Sequence, residues 1–139
     1  MNTEFNNSND ELTVETRAQL KELSKAMIRL HKILLDAAKE DYEAKNGKIA
    51  NVNVYFRLVI DDAHFAWLRK ISSLIALIDE AVSVRRTATE TEALRLLKTA
   101  RSLFNFEDED EAFNQKFQTA LLENADAVLS HNAVLRMLK

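Results

Sequence analysis

The sequence has no cysteine, no proline and a single glycine, Gly47. Without cysteine the chain can form no disulfide, no thiolate metal site and no cysteine nucleophile. Proline and glycine are the residues on which hairpins, bulges and tight turns most often depend. Their near absence disfavours β architectures, and we therefore predict an all-α protein.

Long apolar runs are missing as well. The longest, such as residues 74–78, are far shorter than the roughly 20 apolar residues that cross a bilayer. The N-terminus carries acids and amides where a secretory signal has basic residues and an apolar run. We therefore predict a cytoplasmic protein without a membrane partner, in which residues 1–12 form a flexible leader.

The composition is that of one ordinary globular domain. The chain has 139 residues, of which 47% are hydrophobic and 29% are charged, so a single core is sufficient. We assign residues 13–139 to one helical domain. The formal net charge of -3 provides no global attraction to nucleic acid, and a nucleic-acid partner is not predicted.

Hydrophobic periodicity predicts a long first helix over residues 13–45. Its apolar positions recur with alternating spacings of three and four, and they are Leu20, Leu23, Met27, Leu30, Leu34 and Ala38. Gly47 is suited to end this helix because glycine tolerates a positive φ. A short connecting helix over about residues 54–60 is expected to follow.

Residues 61–86 are predicted to form the central helix of a bundle. One wide face collects most of its apolar side chains, namely Trp67, Leu68, Ile71, Leu74, Ile75, Ile78, Ala81 and Val82. Because Ala66, Leu77 and Val84 widen that face, we expect protein to surround most of this helix.

Two further helices complete the predicted fold. Thr89 and Glu92 have the spacing of a capping box, which predicts a fourth helix ending near Phe104. The acidic run 107–111 is predicted to open one last helix, whose apolar face contains Phe113, Phe117, Leu121, Ala125, Val128 and Leu135. The predicted architecture is an antiparallel up-and-down bundle of four main helices plus one short connecting helix.

The three histidines lie on three different predicted helices. Imidazoles that converge from several helices can hold a transition metal, so His31, His64 and His131 are candidate ligands. Asp61 is the fourth candidate because it lies one helical turn before His64. No two histidines are one turn apart, and the paired Glu-x-x-His motifs of di-metal bundles are absent. No cofactor is predicted, and a transition metal is the alternative.

A small-ligand site is a second use for the same residues. The candidates for ligand binding are His31, His64, Trp67, Asp79 and His131. Trp67 lies near Phe65, Phe56 and Tyr55 in the sequence, and aromatic residues in such a group either line a pocket or fill the core. Asp79 lies at the edge of the apolar face, where a salt bridge to an arginine of another helix is the structural alternative.

The first predicted helix carries a basic ridge. It consists of Arg17, Lys21, Lys25, Arg29 and Lys32, with Glu22 as the one acid between positions 17 and 32. Such a ridge can bind an anionic partner, or it can simply be a solvated helix face.

No catalytic residues are predicted. Serines such as Ser72 and Ser73 have no recognisable activating neighbour, and Gly-rich phosphate loops are absent. The sequence therefore favours a non-catalytic protein-interaction or regulatory bundle over an enzyme, with another protein or a second copy of the chain as partner. The alternative is a metal- or small-ligand-binding bundle that uses core-facing histidines.

Residues 65–80, "FAWLRKISSLIALIDE", carry a resemblance. Together with the "ETRAQL" and "LHKILL" stretches of the first helix, they resemble a group of small, uncharacterised bacterial helical-bundle proteins with an "FAWLR-x-x-S-x-LI-x-x-IDE" block. The sequence departs from that pattern at Ala63 and His64, where a proline-containing turn is usual. The resemblance implies a helical bundle of bacterial origin, and it implies no activity.

Overall fold

A computed structural model describes residues 10–85 and 88–139, and within them the protein is all-α. This part of the chain forms seven helices: α1 (Val14–Asn46), α2 (Val52–Asp61), α3 (Ala63–Ala66), α4 (Arg69–Ala81), α5 (Glu90–Phe104), α6 (Glu111–Leu122) and α7 (Ala125–Met137). The predicted fold class is confirmed. The predicted number of helices is not, because two of the predicted helices are each broken into two.

Helix α1 is the central element of the structure. The Thr13 side chain caps it by accepting a hydrogen bond from the Thr16 amide, and Gly47 ends it with a φ of 86°. Its buried side chains follow the predicted stripe from Leu20 to Leu34, and they pack against α3, α4, α5 and α7. Residues 35–46 contain no fully buried residue, although Leu35 and Ala38 still pack against the edge of the core.

The prediction of one central helix over residues 61–86 is wrong. Asp62 has an extended backbone (φ -83°, ψ 136°), and its carboxylate accepts a hydrogen bond from the His64 amide, which separates α2 from α3. A second break at Trp67 and Leu68 precedes α4. Nor is this segment mostly enclosed, because Leu77 is 53% exposed and Val84 is 89% exposed. Arg86 lies outside the described residues.

The prediction of one last helix is wrong for a similar reason. The Asn124 side chain accepts a hydrogen bond from the Ala127 amide at 3.1 Å, so Asn124 starts a new helix after α6 has ended. The new axis shifts the buried stripe. In α7 the buried residues are Ala127, His131 and Val134, whereas the predicted Val128 is exposed.

The capping box at the start of α5 is confirmed, and it adjoins the start of α1. Thr89 and Glu92 exchange the two expected hydrogen bonds. The Glu90 carboxylate accepts from the Thr13 amide at 2.9 Å and from the Thr16 hydroxyl at 2.6 Å. The hydrogen bond from the Thr13 amide, followed by the one from the Thr16 hydroxyl, lowers the pKa of Glu90.

The end of the predicted leader lies beside the start of α5. The Asp10 carbonyl accepts a hydrogen bond from the Glu90 amide, and the Asp10 carboxylate accepts from Thr91. The flexibility of residues 1–12 stays a prediction. Residues 1–9 lie outside the described residues.

An aromatic cluster fills one end of the core. Phe117 is fully buried, and its ring centroid lies 5.1–6.4 Å from those of five neighbours, which are Trp67, Phe104, Phe106, Phe113 and His131. These separations and the tilted ring planes are typical of favourable aromatic packing.

None of the described helices is both long enough and apolar enough to span a bilayer.

Candidate functional site

Helix α2, which we call the arm helix, is apolar but contributes no buried residue to the core. Its sequence, "VNVYFRLVID", contains seven apolar residues out of ten. Among them Val52 is 65% exposed, Phe56 is 61% exposed and Ile60 is 60% exposed. Large side chains of this kind are normally buried, and a group of them on one surface marks an interaction site.

One side of the arm helix is attached to the rest of the protein. The Tyr55 ring of the arm helix lies 6.1 Å from the Phe65 ring. The ammonium group of Lys39, which is on α1, lies 5.0 Å from the centroid of the Tyr55 ring. Burial, followed by the negative charges of Asp36 and Glu43, raises the pKa of Tyr55. The Asn51 side chain caps the helix by accepting from the Val54 amide at 3.0 Å. The arm helix is therefore held at a fixed place.

The other side carries a continuous apolar stripe. At about 100° per residue, positions that are four apart lie about 40° apart around a helix, so Val52, Phe56 and Ile60 share one sector. Tyr55 and Leu58 fall on the attached side. We call Val52, Phe56 and Ile60 the apolar stripe, and all three side chains are exposed.

Two opposite charges lie along one edge of the apolar stripe. Arg57 and Asp61 are one helical turn apart, and both are exposed. None of the ion pairs within residues 10–85 and 88–139 involves either side chain. The arm helix thus presents an apolar surface flanked by one cation and one anion.

A groove of about 760 Å³ lies beside the last third of α1, opposite α6 and the start of α7. His64 and Trp67 both line it, together with apolar and acidic residues. The Nε2 atom of His64 is 2.8 Å from the carbonyl oxygen of Ala38 and 3.7 Å from a carboxylate oxygen of Asp41. Of the predicted ligand-binding residues, the structure brings His64 and Trp67 to one groove.

The predicted three-histidine metal site is not assembled. Within the described residues, no three side chains of histidine, aspartate or glutamate form a group that could hold a metal ion. His131 is buried, and its Nε2 atom is 2.8 Å from the carbonyl oxygen of Phe104, in the aromatic cluster. His31 is half-buried on α1, and burial lowers its pKa. Asp61 is exposed at the end of the arm helix.

Asp79 has a different partner from the one expected. Within the described residues, the Asp79 carboxylate accepts a hydrogen bond from the Ser24 hydroxyl at 2.6 Å and does not pair with an arginine. Ser24 is buried on α1, so this bond still links α1 to α4. Asp79 therefore has a structural contact that accounts for its position.

The basic ridge is partly used inside the protein. The Arg17 guanidinium donates to the carbonyl of Val82 at the end of α4. Lys25 pairs with Glu22 at 3.1 Å, and Lys32 pairs with Asp36 at 3.0 Å. Lys21 and Arg29 are exposed without an ion pair among the described residues. The ridge has the features of a solvated helix face, on which exposed pairs contribute little energy.

The sequence reasoning missed the arm helix as a site, since Phe56 was grouped with pocket or core aromatics. A signal was present: the short connecting helix is apolar on nearly all sides, more than a connector on a bundle surface can bury.

Comparison with known proteins finds no matching family model, no matching curated protein and no matching solved structure.

Proposed function

We propose that the protein is a non-catalytic protein-interaction module that docks through the arm helix. The observation that carries the proposal is the exposure of the apolar stripe on a helix whose other side is anchored by Tyr55. Full burial of a side chain such as phenylalanine or isoleucine contributes about 1.5–3 kcal/mol. A partner that covers the stripe recovers much of this free energy.

A protein partner fits the arm helix better than a lipid surface does. Amphipathic helices that lie on membranes usually carry several lysines or arginines on the polar face. The arm helix has one arginine and one aspartate, so its charges cancel. Aromatic and aliphatic residues beside a balanced pair of charges are typical of protein interfaces.

Site-specific photo-crosslinking tests this proposal. A benzophenone amino acid replaces Phe56 in one variant and Leu129 in the control, because Leu129 is comparably exposed (69%) but lies on α7. In cells that express the chain, we expect the probe at position 56 to give a discrete protein adduct and the probe at position 129 to give none. Absence of an adduct from position 56 would count against the arm helix as a docking element.

A second candidate function is small-ligand binding in the groove beside α1. It is supported by the presence of His64 and Trp67 on one groove, whose walls also carry the exposed carboxylates of Glu40, Glu123 and Asp126. An aromatic ring beside carboxylates suits a small organic cation. Trp67 is the single tryptophan, so a titration with spermidine followed by tryptophan fluorescence reports on this groove directly. A flat titration would remove this candidate.

We also propose how the long helices are arranged, where the protein is located and from what kind of organism it comes. We infer an antiparallel arrangement of the long helices and a cytoplasmic protein of bacterial origin. Packing of α4, α5 and α7 around α1 supports a bundle. The resemblance of the "FAWLR" block supports the bacterial origin.

A further inference from the structure

We propose that the occupant of the apolar stripe is the arm helix of a second copy of this chain, in an antiparallel two-fold pair. The inference rests on the proposed function, because it requires the arm helix to be the docking element. It goes further in naming the partner and the register of the two helices.

The apolar residues allow two antiparallel registers. When two copies of a helix run in opposite directions about a two-fold axis, residues at equal distances on either side of the centre face each other. A centre at Phe56 pairs Val52 of one copy with Ile60 of the other. With the centre at Leu58, Phe56 of one copy faces Ile60 of the other, and this contact occurs twice. The two exposed side chains then cover each other.

The charged residues favour the register centred at Leu58 over the one centred at Phe56. Arg57 and Asp61 lie on one edge of the stripe, and a two-fold axis between antiparallel helices brings this edge against the same edge of the second copy. With the centre at Val59, Arg57 of one copy faces Asp61 of the other. The centres at Leu58 and Val59 differ by one residue, which is within the reach of an arginine side chain. A parallel pair would instead set this edge against the opposite edge of the second copy's stripe, so that Arg57 and Asp61 would not meet.

Within residues 10–85 and 88–139, neither charge is paired with another side chain. The described residues show no ion pair to Arg57 or Asp61, although both are exposed and one turn apart. Each is therefore free to pair across the interface. The resulting surface is self-complementary in charge as well as in apolar content.

The arm helix alone is small for a stable interface. A standard interface covers about 800 Å² on each partner, and a ten-residue helix supplies only part of that area. The adjoining last third of α1, which has no fully buried residue, supplies further surface beside it. We therefore expect a reversible dimer whose population depends on concentration.

A charge-swap experiment tests the register. Sedimentation equilibrium is measured for wild type, Arg57→Asp, Asp61→Arg and the double variant, with Arg29→Asp on α1 as the control for a change of net charge. We expect each single variant at the arm to raise the dissociation constant about tenfold, because two attractive pairs become repulsive. The double variant should return to the wild-type value, and an equimolar mixture of the two single variants should form heterodimers. Circular dichroism verifies that each variant is folded.

The outcomes separate this inference from the proposed function. If wild type dimerises but the charge swap neither weakens nor restores the dimer, the antiparallel register is wrong. If wild type stays monomeric while the probe at position 56 captures another protein, the arm helix still docks but the second copy is not its partner. Monomeric wild type that cosediments with lipid vesicles through Phe56 would overturn both proposals.

Discussion

At the scale of single residues, His131 shows what the core requires of a titratable side chain. It is buried among aromatic rings, and burial lowers its pKa, although the hydrogen bond with the Phe104 carbonyl acts in the opposite direction. Burial likewise lowers the pKa of His31. The folded state therefore favours the neutral form of both side chains.

These two histidines make stability depend on pH. An unfolded chain has histidine pKa values of about 6.5, so as pH falls it takes up protons before the folded chain does. Their contribution to stability is complete above about pH 6.5 and is lost as pH falls below it. We expect the free energy of unfolding in urea to decrease between about pH 7.5 and pH 5.5, and to decrease less in His31→Gln/His131→Gln. An equal decrease in wild type and the double variant would contradict this assignment.

A pair of phenylalanines tests buried against exposed positions. Phe117 is fully buried and contacts five aromatic rings, so Phe117→Ala should lower the free energy of unfolding by about 3–5 kcal/mol. Phe56→Ala should change it by less than about 0.5 kcal/mol when measured below the concentration at which the chain associates. Chemical denaturation of both variants gives the comparison. A large loss of stability in Phe56→Ala would mean that the stripe packs within its own chain.

At the scale of helices, the sequence predicts those elements whose ends and buried faces have local causes. Thr13, Gly47 and the Thr89–Glu92 capping box set the ends of α1 and α5 close to the predicted positions. The boundary at Asp62 lies within two residues of the predicted one. The breaks at Trp67–Leu68 and at Asn124 were missed because the apolar pattern continues across both. Asparagine and aspartate also occur at exposed positions inside helices. Their presence in an apolar pattern therefore does not by itself predict a break.

The same limit applies to the candidate sites. Periodicity correctly predicted that α1 faces a core, but it could not tell that α2 lies beside α1 without entering that core. His64 and Trp67 reach one groove because α3 turns between α2 and α4, and nothing in the local sequence sets that turn's direction. Such features depend on tertiary packing, which a local pattern does not encode.

The cap at Asn124 yields a prediction at this scale. Asn124→Ala removes the acceptor for the Ala127 amide and should lower the free energy of unfolding by about 1 kcal/mol. Asn132→Ala is the control, because Asn132 is exposed within α7 and none of the described hydrogen bonds involves it. Urea denaturation of the two variants should show a loss at position 124 alone. Equal losses at both positions would indicate a general effect of replacing asparagine in α7.

At the scale of the whole molecule, the protein combines a well-packed core with one apolar element left outside it. Within the described residues, the core around α1 contains side chains from α1, α4, α5, α6 and α7. The buried Phe65 of α3 lies apart from this core, against the rings of Tyr42 and Tyr55, and α2 contributes no buried residue. A chain that buries its other helices gains nothing within one protomer from an exposed phenylalanine and isoleucine. The exposed stripe is understandable if the functional unit contains more than one chain.

The most direct test of this account is the mass of the purified protein in solution as a function of concentration. Light scattering or sedimentation compares wild type with Phe56→Glu on the arm helix and with Leu129→Glu, an exposed leucine of α7, as the control. The account predicts that wild type and Leu129→Glu form dimers as concentration rises, whereas Phe56→Glu remains a folded monomer. A wild-type protein that is monomeric at every concentration, or a dimer that Phe56→Glu leaves intact, would contradict it.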